Sequence, residues 1–132
     1  MIDANATRRV VTEFLTQVRS GRDPGRATAL MAPVVLAHQV QAENEVTVER
    51  TPQNYADHVR EMRDTWGDYT LDIQELLVDG AKAHVRLVQT GHHAPTGRTV
   101  RQINSVVYQV ENGRITRYWM QIDRAGLTAQ LA

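Results

Sequence analysis

Asp123 closes the run Ile115-Thr116-Arg117-Tyr118-Trp119-Met120-Gln121-Ile122-Asp123 and is the carboxylate best placed to move a proton. The run reads as a strand. Strand side chains alternate between faces, so Trp119, Gln121 and Asp123 share one face. If that face lines a pocket, the carboxyl sits beside an indole and an amide. An apolar setting disfavours the charged form and lifts a carboxyl from its reference of about 3.9. Such a group can take and return a proton near neutral pH. The same position also suits a helix cap for the tail that follows.

The histidines are the other candidates. His38 alternates with Leu36 and Val40 on one strand face, where an imidazole needs a partner or a ligand. A core histidine with a satisfied hydrogen bond is the alternative. His92 and His93 follow Gly91 at a strand end. Adjacent strand residues point to opposite faces, so at most one of the pair enters a pocket. His58 lies three residues after Tyr55 and four before Met62, which places it inward or on a helix surface. His84 shares a polar face with Lys82 and Arg86 and reads as solvated. There is no HExxH pattern and no thiolate, so no metal site is expected. Gly21, Gly25 and Gly67 form no phosphate-binding pattern, and Ser20 and Ser105 lack a nucleophile elbow.

The elements that must position these residues follow from periodicity. Val10, Val11, Phe14, Leu15 and Val18 mark a first helix, ended by Ser20-Gly21. Asp23-Pro24 starts a second, with Ala27, Leu30 and Met31 on its apolar side and Pro33 at its close. Residues 34–40 read as a strand, and residues 41–50 as a polar loop or lid. Thr51-Pro52 opens a third helix through Tyr55, Val59, Met62 and Trp66, ended by Gly67-Asp68. Strands follow at 69–78, 82–90, 99–110 and 114–123, with hairpin turns at Asp79-Gly80 and Asn112-Gly113, a loop at 91–97 and a short tail at 125–131. Helices first and antiparallel hairpins after give an α+β fold, with helices on one side of a curved sheet and a pocket at its open end. The outer sheet face is expected to carry either Val106, Tyr108 and Val110 or Ile103, Ser105 and Val107.

Composition narrows the function classes. The 132 residues fit one domain over 1–132, and 15 basic residues balance 15 acidic ones. A chain without net charge or a basic cluster is a poor nucleic-acid binder. Cysteine is absent, so disulfides and thiolate chemistry are excluded. No apolar run has the length of a membrane span, and Met1-Ile2-Asp3-Ala4-Asn5 lacks the pattern of a signal peptide. The expected setting is the cytoplasm, with a small-molecule partner and neither nucleic acid nor membrane.

Gly91-His92-His93, Pro95-Thr96-Gly97-Arg98, Glu111-Asn112-Gly113-Arg114-Ile115, Tyr118-Trp119 and the stretch from Asp123 to Leu131 resemble the SnoaL-like polyketide cyclases. These belong to the nuclear transport factor 2-like superfamily of cone-shaped folds. The most specific piece is W-x-x-x-D-x-x-G-L-x-x-Q-L, from Trp119 to Leu131. The resemblance implies intramolecular aldol ring closure of a small hydrophobic or polycyclic, polyketide-like substrate, with no metal and no organic cofactor. It implies Asp123 as the acid/base, with His93 and His38 assisting; Gln121, Trp119, His58 and Tyr55 are the expected substrate contacts. Isomerisation, epoxide opening or cofactor-free hydroxylation in the same pocket are the rival chemistries. Epoxide opening would draw on Glu43 or Glu45, if the polar loop folds over the mouth. A non-catalytic binding module is the third reading, and a homodimer is expected from an apolar outer sheet face.

Overall fold

The computed structural model describes residues 3–132. Helix α1 spans Ala4–Glu13, capped by Asp3, whose side chain accepts from the Asn5 N–H at 2.9 Å. It runs directly into a π-helical turn, Phe14–Arg19. A π turn accommodates an extra residue, and here Phe14, Leu15, Val18 and Arg19 are all buried. The Tyr69 hydroxyl donates to the Arg19 carbonyl at 2.6 Å and fixes the end of that turn.

The expected second helix is shorter than its signals imply. Pro24–Arg26 form a 3₁₀ turn and Ala27–Leu30 a single α turn, α2, with no cap bond from the Asp23 side chain. Pro33 does not end a helix. It lies within strand β1, Met31–Gln39, where the pairing with β6 (Arg114–Ile122) shifts register between Met31 and Leu36. A residue without an N–H is tolerated in such an irregularity. Part of the expected polar loop is a strand, β2, Val46–Arg50, paired antiparallel to β1. Its exposed Thr47 and Glu49 disguise a short edge strand as a loop.

Helix α3, Pro52–Trp66, begins where Thr51-Pro52 indicates: Thr51 accepts from the Asn54 N–H at 3.1 Å. Gly67, at φ +66°, ends it in a conformation that suits glycine. Strands β3 (Thr70–Asp79), β4 (Lys82–His92) and β5 (Thr99–Glu111) then lead to β6 and the terminal helix α4, Arg124–Leu131. The six strands form one open mixed sheet in the order β2-β1-β6-β5-β4-β3. Among the described residues only the β1–β6 pairing is parallel. Register shifts in β3 and at Gln109/Val110 accompany the bending of the sheet into a cone.

The concave face holds the core. Val106, Tyr108 and Val110 of β5 point inward, and Ile103 faces out at 41% exposure, which settles the two-fold choice of faces. Phe14 packs on Tyr55 and Tyr108, with ring centroids 5.2 and 5.5 Å apart. No helix among the described residues is long and apolar enough to cross a membrane.

Candidate active site

At the open end of the cone the inner sheet face changes from apolar to polar. In β4 the inward series Ala83, Val85 and Leu87 continues into Gln89. In β5 the inward series Val110, Tyr108 and Val106 continues into Asn104 and Gln102, and Gln89 pairs across to Gln102. These amides, with Gln39, Tyr118, Met120 and Ile122 from β1 and β6, form one wall of a cavity of about 340 Å³. Helix α3 forms the other wall through Tyr55, His58, Met62 and Trp66, at helical spacings of three and four. Arg19 enters from the π turn and Arg50 from β2, while Leu127 of α4 covers one side. Arg50 pairs with Val35 across the β1–β2 ladder and so shares the inward face. A larger depression of about 510–530 Å³ occurs at each of two other places, but neither gathers such convergent buried polar groups.

The cavity is cationic and incompletely satisfied. Arg19 is 6% exposed, and no Asp or Glu belongs to the lining. Arg50 donates to Asn54 Oδ1 at 2.9 Å, but its buried Nε has no partner. Gln89 Oε1 and Asn104 Oδ1 are likewise buried without a partner. Buried polar groups in folded proteins are normally paired with protein or water, so three atoms without a protein partner in one cavity mark where water or ligand atoms would bind. Burial pushes the His58 imidazolium toward the neutral form, and the Arg50 and Arg19 guanidiniums add to this against a weaker opposing pull from Glu61. Burial raises the Tyr55 and Tyr118 phenols, so both remain hydroxyl donors at neutral pH.

The sequence candidates distribute unevenly around this cavity. Tyr55 and His58 are in its wall. Trp119 and Gln121 are not, because β6 presents Tyr118, Met120 and Ile122 to the cavity and turns the alternate residues outward. Trp119 lies on the convex face, stacked on His38 with centroids 5.3 Å apart and flanked by Lys82 and Arg117. His38 bonds Thr47 Oγ1 through Nδ1 at 2.8 Å and also sits outside the cavity. His93 bonds Thr96 Oγ1 at 2.8 Å and packs on Trp66 at 4.8 Å, at the rim. The Asp123 carboxylate is exposed and accepts from the Gly126 N–H at 2.9 Å as the cap of α4. Glu43 pairs with Arg124, which holds its carboxyl below the usual range, and neither Glu43 nor Glu45 lines the cavity. Among the described residues no group of three His, Cys, Asp or Glu side chains is arranged to hold a metal.

Asp123, Gly126, Leu127 and Gln130 make the ending from Trp119 to Leu131 a device for seating α4. Asp123 caps the helix, and a Cβ at Gly126 would overlap the Asp123 carboxylate. Leu127 reaches the cavity. The Gln130 amide both donates to the Arg101 carbonyl at 2.7 Å and accepts from the Arg101 N–H at 2.9 Å, as a strand neighbour would.

The family model for SnoaL-like polyketide cyclases matches residues 9–131. The chain belongs to the SnoaL-like polyketide cyclase family. Among solved structures, this SnoaL-like chain is similar to a proposed polyketide cyclase from Acidithiobacillus ferrooxidans. They share 24% identity and a TM-score of 0.81, over 99% of this chain and 97% of that one. IdmH from Streptomyces antibioticus, described as a proposed polyketide cyclase, is 21% identical with a TM-score of 0.78, over 95% and 97%. An LEH-like epoxide hydrolase from M. tuberculosis is 20% identical with a TM-score of 0.76, over 97% and 90%. These likenesses establish a shared fold for the SnoaL-like chain. No curated protein matches the sequence.

Proposed function

We propose that this SnoaL-like protein is an acid/base enzyme acting on a carbonyl-bearing small molecule, with His58 as its proton carrier. The observation that carries this reading is a half-buried imidazole, biased neutral by burial and two guanidiniums, in a cavity with three unpaired polar atoms. A neutral imidazole is a base at physiological pH.

In the aldol ring closure suited to the family, His58 takes a proton from carbon beside a carbonyl. The bonding pair moves onto the carbonyl oxygen as an enolate. The Arg50 guanidinium and the Tyr118 hydroxyl stabilise that oxygen as its charge develops. The enolate carbon attacks a second carbonyl of the same molecule and forms the ring bond. The new alkoxide recovers the proton from the His58 imidazolium, so none is consumed overall. The cavity contributes further by holding one flexible molecule in its reactive geometry. Isomerisation shares the first step and returns the proton to a different carbon. Asp123, engaged with Gly126, serves this scheme by seating α4.

A cavity of about 150 Å³ holds one benzene ring, so 340 Å³ has room for about two. The test substrate is therefore 2-tetralone, a two-ring ketone. The protein should accelerate deuterium exchange at the carbon beside its carbonyl in heavy water, followed by NMR, and His58→Gln should remove the acceleration. Exchange no faster than in buffer, or equally fast with His58→Gln, would overturn the proposal.

A further inference from the structure

Arg19 is a buried cation with no carboxylate partner. It sits 6% exposed in the cavity wall, at the end of a π turn that points its side chain inward. Its guanidinium donates to the Met62 sulfur at 3.7 Å and has the Tyr69 hydroxyl as a polar neighbour, but no carboxylate. A thioether is a weak acceptor, and a guanidinium carries five donors. The ion pairs formed among the described residues use Arg26, Arg60, Arg63, Arg124 and His84, not Arg19. Taking a charge out of water without a counter-charge is costly. Arg50 adds a second guanidinium to the same cavity, and the lining supplies no acid to either.

The rest of the lining says what else the ligand carries. Tyr55, Met62, Trp66, Met120, Ile122 and Leu127 offer apolar surface for a ring system. The unpaired carbonyl oxygens of Gln89, 1% exposed, and Asn104, 2% exposed, call for hydrogen-bond donors on the ligand.

We infer that the cavity takes a two-ring organic acid, its carboxylate held by Arg19 and its ring hydroxyls facing Gln89 and Asn104. This rests on the cavity being the substrate site, as proposed above, and it adds the charge that the substrate carries. Arg19 is thereby the residue that selects acid over neutral analogue. Arg50, whose charge acts on His58 more strongly, is left to the reacting oxygen. A guanidinium binds carboxylate through two parallel bonds, which an amide cannot reproduce. A site with a buried charge favours the ligand that pairs it, so a neutral ketone such as 2-tetralone binds more weakly and is assayed at correspondingly higher concentration.

The experiment is calorimetric titration of the protein with 2-naphthoate and with 2-naphthamide, which have the same rings and differ in charge. The acid should bind at least about tenfold more tightly. Arg19→Gln should abolish that preference, while Arg50→Gln should keep most of it. Equal affinities, tighter binding of the amide, or no binding of the acid would overturn the inference. Should Arg19→Gln fail to fold, the wild-type comparison and the Arg50→Gln variant still decide. Titration of His58→Gln separates this inference from the catalytic one: acid preference without proton exchange is expected there. Exchange by the wild type without acid preference would overturn the inference and leave the catalytic reading standing.

Discussion

In the proposed scheme His58 and Asp123 exchange the roles that their sequence contexts imply. His58→Gln should lower 2-tetralone exchange by about 10²–10⁴-fold, the usual worth of a general base, with no loss of fold by circular dichroism. Because burial and the arginines depress the imidazole below its ordinary 6.5, wild-type exchange should hold at neutral pH and fall at a lower pH than an unperturbed imidazole would give. The same depression makes the unfolded chain take up the proton first as pH drops. Stability should therefore decline below about pH 6.5, and His58→Gln should flatten that part of the curve in urea titrations. Asp123→Asn should leave exchange and melting temperature near wild type, since Asn caps about as well as Asp. Asp123→Ala should cost about 1 kcal/mol of stability. A drop of 10²-fold or more in exchange with Asp123→Asn would instead restore the acid/base role implied by the family resemblance. The spacing of Tyr55, His58 and Met62 made one cavity wall legible. Arg19 was not, because a charged residue at a helix end reads as solvated unless the π turn is known. Gln89, Gln102 and Asn104 did leave a signal: each extends an apolar period-two series with an amide.

Helix α4 shows what the terminal motif accomplishes as an element. Gly126→Ala should dislodge the Asp123 cap, because the new Cβ and the carboxylate claim the same space. The expected outcome is a loss of about 1 kcal/mol and faster amide exchange at Arg101, whose N–H is held by Gln130. Unchanged protection at Arg101 would show that α4 is seated by other contacts. Gly91 has a related constraint, since a Cβ there would approach Trp66 Cβ at 2.9 Å and push on the cavity wall. The turns at Asp79-Gly80 and Asn112-Gly113 and the start of α3 were readable because glycine, proline and a capping threonine fix local geometry. Strand β2 and the fate of Pro33 were not, since both depend on what β1 pairs with across the sheet.

For the whole molecule, the convex sheet face carries Val34 at 52%, Leu77 at 58% and Ile103 at 41% exposure, with Trp119 among them on β6. We expect a second copy of the chain to cover this face. Light scattering at micromolar concentration should then return about twice the 14.9 kDa chain mass; a monomer would refute it. The strand order carries a different consequence, one of timing. β6 lies between β1 and β5, although the 74 residues 40–113 lie between Gln39 and Arg114. A chain growing from its N-terminus holds the β1–β2 hairpin with no sheet to join until residues 114–122 have been made. A lone hairpin is marginal in water. The cavity draws Arg50 from β2 and Tyr118 from β6, so its two sides meet only at that late stage. A nascent chain arrested before β6 would carry His58 and Arg19 already synthesised and still have nowhere to hold a ligand.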